Sequence, residues 1–384
     1  MTTTRDETGR PDRPTVTELR LSAFRTHRGT AIALGPLTLV TGPSGSGKSS
    51  VLEAFEALAR LGSGAALGSV FRDPAGCVPE RAGADAQGRR GFRVGCTVDG
   101  PAGPVRLDLA VQAEPELRIV GERLTSRGQT LLSTALRDPG RSTVQAAWHT
   151  AGTVPVTRAP LPDDRLGTAL LPLRVAGKTE GQRQVLAAAE QVVLALRSVF
   201  PCDPQPQHIR EPVAPLRGAD GGRLRRGCDN LAEVLLRTRT ECAIRHGRLV
   251  AAARVGCQGP VTGLTTEELA DGTLRAVLAR GAHLHGTPVG RLGEGELRYL
   301  ALALVLLTGP GVLAVDPVAE VPGAMQTLTV LADGLDRALD PRQARELLTL
   351  AAEMCARGHL RLLAAVGDAA GAREAGATVV DLRP

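Results

Sequence analysis

Aromatic side chains are nearly missing from this chain: 384 residues include one tryptophan, one tyrosine and five phenylalanines. A platform for single-stranded nucleic acid stacks bases on successive rings, so this chain lacks the material for one, and any nucleic-acid contact has to run through phosphates. Lysine is scarcer still. Lys48 and Lys178 are the only two, and arginine supplies the rest of the 46 basic residues. The seven cysteines (Cys77, Cys96, Cys202, Cys228, Cys242, Cys257 and Cys355) form no C-x-x-C pair and are odd in number. That pattern argues against a zinc site or a disulfide framework and for buried free thiols. His283 and His285 alternate along a strand-like run and read as strand surface rather than metal ligands. No apolar run reaches the roughly 18 to 20 residues of a membrane span, and Met1 to Thr15 is polar rather than signal-like. No membrane partner and a cytoplasmic location are expected. No internal repeat or sustained heptad pattern occurs, so no coiled-coil arm is expected either.

What is present suffices for a core. Hydrophobic residues make up 43% of the chain, and the length suits one large or two ordinary domains. A net charge of +6 permits contact with nucleic acid, although the bias toward Arg, Ala, Gly and Leu is equally what base composition of the coding DNA would produce.

One of the two lysines completes a Walker A loop, Gly42-Pro43-Ser44-Gly45-Ser46-Gly47-Lys48-Ser49. It follows an apolar run, Pro36 to Thr41, and precedes a helix-patterned segment that begins at Ser50, so strand, loop and helix stand in the order phosphate binding needs. Glycines let successive backbone N–H groups turn inward toward phosphate, and the helix N-terminus adds partial positive charge. Lys48 would reach the β- and γ-phosphates, and Ser49 would place its hydroxyl on Mg²⁺.

Around this motif the chain alternates in the strand manner over Thr15 to Phe24 and Thr30 to Leu34, then again over Gly91 to Val98, Val105 to Gln112 and Leu117 to Leu124. Met1 to Pro14 reads as a disordered tail. Thr179 to Val199 and Asp229 to Arg254 read as helices, and Leu274 to Val289 as one or two strands. A second motif, Arg291-Leu292-Gly293-Glu294-Gly295-Glu296-Leu297-Arg298, runs into an apolar helix from Tyr299 to Leu307. Ala270 to Arg275 looks superficially similar, but its sequel alternates like a strand.

Two apolar runs compete for the strand whose terminal Asp holds Mg²⁺ through water: Gly311 to Asp316 and Leu328 to Asp333. A parallel sheet needs a crossover of about a dozen residues or more. Little room exists for one between Asp316 and Leu328, whereas after Asp333 the chain offers Asp340 as N-cap, Pro341 at the first helical position, a buried face through Leu347, Leu348 and Ala351, and a strand from Leu360 to Val366. Asp333 is therefore favoured and Asp316 kept.

These features together, with Leu19-Arg20-Leu21-Ser22-Ala23-Phe24-Arg25 and the helix-like Asp229 to Leu236, resemble the RecF/SMC-like branch of the ABC superfamily of ATPases. The resemblance covers roughly 15 to 60 and 285 to 384. It implies an α/β fold, a P-loop NTPase head of ABC type, with an N-terminal antiparallel β subdomain and an inserted α+β or helical region. The implied division is a tail at 1–14, a nucleotide-binding core from 15–62 and 285–384, and an insertion at 63–284. It further implies ATP and Mg²⁺ as cofactors, with Gly42 to Ser50 on the phosphates, Ser49 and Asp333 on the metal, and Gly293, Glu294, Gly295 and Glu296 of one subunit closing over the nucleotide of another in an ATP-dependent homodimer. Relatives in that branch act in DNA repair, chromosome maintenance or phage defence, which makes duplex DNA or an effector protein the expected further partner.

The chain departs from the family pattern at three places. Gly293 stands where the signature has Ser. Gly334 or Pro317 follows the Walker B Asp where a water-orienting Glu is usual, and Gly367-Asp368 stands where a His is expected. Asp336 and Glu320 are substitute carboxylates, neither at family spacing. Slow hydrolysis is the expectation, and a hydrolysis-deficient ATP-gated switch that recruits a protein effector is the alternative.

Overall fold

The structure is a computed structural model and describes residues 13–151, 155–216, 222–309, 312–313 and 327–383. Most of the expected tail, and Asp316, Pro317 and Glu320, lie outside the described residues.

In chain order, β1 (Thr15–Phe24), β2 (His27–Ala33) and β3 (Leu37–Thr41) lead into α1 (Lys48–Gly62) and the single turn α2 (Leu67–Val70). Strands β4 (Arg90–Asp99), β5 (Val105–Glu114), β6 (Arg118–Ser126), β7 (Gln129–Ala135), β8 (Thr143–His149) and β9 (Val156–Pro162) follow. Then come α3 (Gly167–Leu170), α4 (Glu180–Arg197), β10 (Val199–Cys202), α5 (Pro206–Ile209), α6 (Leu231–Glu241) and α7 (Ala243–Gly256). The chain continues through β11 (Gly263–Glu268), β12 (Leu274–Ala279), β13 (Thr287–Pro288), α8 (Glu294–Leu307), β14 (Leu328–Ala332), α9 (Pro341–Ala356), β15 (Leu360–Ala365) and β16 (Thr378–Asp381).

Two large sheets organise most of these elements, beside a small three-stranded one, β11-β12-β13. An eight-stranded antiparallel sheet runs β2-β1-β4-β5-β6-β7-β8-β9, and a five-stranded parallel sheet runs β10-β14-β15-β3-β16. Proline placement fits the edges: Pro160 and Pro162 lie in β9 and Pro201 in β10, each an edge strand where a missing N–H costs no ladder bond.

Side chains along the parallel strands alternate between two cores. Val40, Leu331, Leu363 and Ala365 join a cluster with α1, α4 and the antiparallel sheet, while Leu39, Val330, Ala332, Leu362 and Ala364 join one with α7, α8 and α9. Both faces of the sheet are thus covered, which explains why its strands are continuous apolar runs rather than alternating ones. Helices α1 and α4 are sandwiched between the two sheets and pack so closely that a Cβ on Gly62 would lie 2.7 Å from Leu196. The middle of the chain is woven into both sheets, since β4 to β9 extend the antiparallel one and β10 completes the parallel one.

Two sequence expectations need correction. The helical run from Asp229 to Arg254 is broken at Cys242, whose extended backbone (φ −151°, ψ 90°) separates α6 from α7. Leu274 to Val289 is not strand throughout: His283 and His285 are exposed in the connection between β12 and β13, because only Val277 and Leu278 pair with Pro288 and Thr287.

Candidate nucleotide-binding site

Parallel strands end at one edge of a sheet, and ligands of open α/β sheets bind at that carboxyl edge. Here β3 ends at Thr41 and enters the glycine-rich loop, β14 ends beside Asp333, β15 beside Gly367 and β10 beside Asp203. The loop and all three following residues therefore share one edge.

Gly42 and Gly47 take backbone conformations that favour glycine, φ 150° and φ 93°. Neither has room for a side chain: a Cβ on Gly42 would meet the Leu382 carbonyl at 2.9 Å, and one on Gly47 would meet His27 Nε2 at 2.4 Å. Gly47 caps α1 with no side chain bonded to the first-turn N–H groups, and no acidic residue stands in that turn. An uncapped, uncontested helix N-terminus beside glycine N–H groups is an arrangement that suits phosphate. Lys48 Nζ donates to the carbonyls of Gly42 (2.8 Å) and Pro43 (3.0 Å), so its ammonium spans the mouth of the loop. Ser49 is exposed and Ser50 buried, which leaves Ser49 the hydroxyl accessible to a cation.

Sequence reasoning missed His27. Its ring is buried, with Nε2 3.0 Å from the Gly47 carbonyl and Nδ1 3.3 Å from Thr30 Oγ1. The carbonyl can only accept, so Nε2 carries the proton, and the β1–β2 turn thereby pins the phosphate loop. Clefts flank the loop tip: one of about 620 Å³ reaches Thr26, Arg28 and Thr30, and one of about 630 Å³ reaches Asp368 and Arg373, with Asp381 and Arg383 lining both.

The second motif caps α8. Gly293 is its N-cap, and Glu296 folds back so that Oε2 accepts from Gly293 N (2.9 Å) and Oε1 from Gln258 N (2.8 Å). Gly293 and Glu294 stay exposed, and a Cβ on Gly295 would lie 2.3 Å from the Ala338 carbonyl. Among the described residues no hydrogen bond or ion pair joins 293–296 to 42–50 within the chain.

Arg298 was also missed as a site residue, although an arginine amid Leu297, Tyr299 and Leu300 is a legible oddity. It is 2% exposed and donates to the carbonyls of Pro204 (2.8 Å), Gly334 (3.0 Å) and Arg337 (3.1 Å). Burial, then the positive charge of Arg337, lowers its pKa from the usual guanidinium value.

Asp333 follows β14 directly. Its charge reaches Glu53 on α1, whose pKa is raised chiefly by burial, with Arg25 opposing and Asp333 and Glu56 adding to the rise. Helix α1 begins at that edge with Lys48 and Ser49 and packs on β14 and β10. Asp336 is engaged already: its carboxylate accepts from Gly367 N (3.1 and 2.9 Å) and Asp368 N (3.0 Å), stapling the ends of β14 and β15.

Fold and site together have the layout of a P-loop NTPase core, a parallel sheet with a glycine-rich loop at its carboxyl edge leading into a helix. Residues 18–60 match the AAA domain family, over the β1–β3 strands, the loop and most of α1. Solved structures with a similar fold include heads of SMC proteins. An Smc head bound to the C-terminal winged-helix domain of ScpA has 12% identity and a TM-score of 0.48 over 92% of this chain and 90% of that one. The SMC head domain from Thermotoga maritima has 13% identity and a TM-score of 0.43 over 94% and 92%. An Smc head with an extended coiled coil, bound to the C-terminal domain of ScpA from Pyrococcus furiosus, has 12% and 0.43 over 92% and 90%. No curated protein matches the chain.

Proposed function

We propose that this chain binds ATP with Mg²⁺ at Gly42 to Ser50, closes as a homodimer around the nucleotide, and hydrolyses it slowly. The observation that carries this reading is the loop itself: two glycines in glycine-favouring conformations, an uncapped α1 and Lys48 spanning the mouth. A hydroxyl at Ser49 and a carboxylate at Asp333 are the hard oxygen donors Mg²⁺ takes; bound there, the ion would neutralise phosphate charge. The exposed Gly293 and Glu294 would face the partner's nucleotide, with helix N-terminal N–H groups rather than a serine hydroxyl as donors. A role in DNA repair, chromosome maintenance or phage defence follows from the resemblance of the motifs and belongs to this proposal, with Arg25, Arg28, Arg223, Arg225 and Arg226 on the candidate DNA surface.

The test is equilibrium binding of ATP together with turnover, with and without duplex DNA, against Lys48→Ala. Binding that the substitution abolishes supports the reading, and DNA binding that weakens steeply with salt supports the phosphate-contact role. Absence of ATP binding by the unsubstituted protein sinks it.

A second reading, a hydrolysis-deficient ATP-gated switch for a protein effector, is favoured by one observation. Gly334 follows Asp333, and the nearby Asp336 is spent on backbone N–H groups. Binding without turnover would select it.

A further inference from the structure

Hydrolysis at this edge needs a carboxylate to orient water, and the usual position is glycine. The neighbouring strand supplies one. In the β10–β14 pair Cys202 stands opposite Ala332, so Asp203 and Asp333 leave the sheet side by side, on strands about 4.8 Å apart.

Asp203 is held in place from several directions. Its backbone N donates to the Arg226 carbonyl (3.0 Å), Gln205 N donates to the Gly227 carbonyl (3.0 Å), and Gln205 Nε2 donates to Asp203 Oδ2 (2.7 Å). Arg226 in turn pairs with Glu56 of α1 at 2.5 Å, which ties this corner to the helix that carries Ser49. The next residue, Pro204, gives its carbonyl to Arg298.

The other carboxylate oxygen, Oδ1, is buried and has no hydrogen-bond partner among the described residues. A buried carboxylate oxygen without a donor is costly, and a bound water is the usual remedy where polar groups converge. Asp203 is thus oriented through one oxygen and left with a vacant acceptor on the other.

We propose that Asp203 is the carboxylate that orients the attacking water, in place of the acid absent after Asp333. The inference rests on the ATPase reading above. In the step it serves, the water oxygen bonds to the γ-phosphorus as the bond from that phosphorus to the β,γ-bridging oxygen breaks. The broken bond's electron pair leaves on ADP, and the water's proton passes to Asp203 Oδ1 and then to the released phosphate, giving ADP and inorganic phosphate from ATP and water. Asp336 cannot share this task while its oxygens hold Gly367 and Asp368.

The experiment compares unsubstituted protein, Asp203→Asn and Asp203→Glu in steady-state ATP turnover, in affinity for a non-hydrolysable ATP analogue, and in thermal unfolding. Asn keeps the shape and the Gln205 contact and removes the base, so kcat should fall about 100-fold or more, with analogue affinity within about threefold of the unsubstituted protein, as expected for a group acting on the transition state. Asp203→Glu, which restores a carboxylate, should recover part of the rate. Turnover by a folded Asp203→Asn within twofold of the unsubstituted protein overturns the inference. Should the Asn variant unfold, a folded Asp203→Ser with undiminished turnover does the same. Unsubstituted protein that binds the analogue but turns over no ATP overturns this inference and leaves nucleotide binding standing, whereas failure to bind overturns both.

Discussion

Replacing Arg298 with methionine removes a guanidinium that ties three backbone segments together. Its three donors reach the carbonyls of Pro204, Gly334 and Arg337, which follow β10 and β14. Hydrogen bonds involving a charged group contribute about 1.5 to 3 kcal/mol each, but burying the charge offsets much of that gain. Methionine fills comparable length without donors, so the Pro204 and Arg337 carbonyls lose their partner, while the Gly334 carbonyl still accepts from Arg337 N (3.0 Å). With about 1 to 3 kcal/mol for each of the two orphaned carbonyls and partial rescue by water, the expected destabilisation is about 2 to 4 kcal/mol. Arg298→Lys should lose less, because an ammonium reaches one or two of the three acceptors. The assay is urea unfolding followed by far-UV circular dichroism, with ATP affinity measured in buffer. Because the loops that move are those beside Asp333 rather than the phosphate loop, affinity should change less than turnover. A methionine variant within about 1 kcal/mol of the unsubstituted protein would show that the three bonds do not hold this edge.

His27→Ala removes the link to the Gly47 carbonyl and should weaken ATP binding about 5- to 10-fold, the equivalent of one buried hydrogen bond; His27→Gln, which keeps a donor, should restore part of it, as isothermal titration would show. Gly295→Ala forces a Cβ to 2.3 Å from the Ala338 carbonyl and should lower stability by about 1 to 3 kcal/mol, read as a fall in melting temperature; an unchanged melting point refutes the close approach. Glu122 is fully buried and accepts from Gly167 N (2.6 Å), Thr168 N (2.7 Å) and the Thr168 hydroxyl. Burial raises its pKa despite those bonds. A raised acid favours the fold below its unfolded pKa and loses that contribution as pH climbs through the folded one. The melting temperature of the unsubstituted protein relative to Glu122→Gln should therefore fall as pH rises from about 4.5, the ordinary glutamate value, and a flat difference refutes it.

The strand, glycine-rich loop and helix around Lys48 were legible because the pattern is local: glycines, one lysine and a hydroxyl within eight residues, flanked by a strand and a helix. The C-terminal crossover was equally so, and α9 begins where Asp340 and Pro341 indicated, with a capping box completed by Gln343. Strand β14 forms where the favoured Asp333 run predicted it. Harder to see were β7 to β9, which carry polar outward faces and, in β9, two prolines that count against a strand unless its edge position is known. The supporting residues were beyond local reach. His27 and Gly47 stand 20 residues apart, and Arg298 meets Pro204 across 94. No pattern within a window of the sequence encodes such a meeting; it follows from the order in which strands enter a sheet.

That order also bears on how nucleotide would act at a distance. The carboxyl ends of β10, β14 and β15 are cross-tied: Asp336 staples the ends of β14 and β15, and Arg298 binds the ends of β14 and β10 to α8. Since α8 begins at the exposed Gly293 and Glu294, a load placed on its N-terminus by a partner's phosphate would be transmitted along a buried helix to three strand ends at once. A single hydrogen bond would let those loops adjust separately. Three donors on one planar guanidinium do not, because its donors are fixed relative to one another. In the proposed dimer, closure over ATP and the placement of Asp333 and Asp203 would therefore be one event rather than two, and Arg298→Met should separate them: ATP would still bind at Gly42 to Ser50, while nucleotide-dependent dimerisation no longer raised turnover.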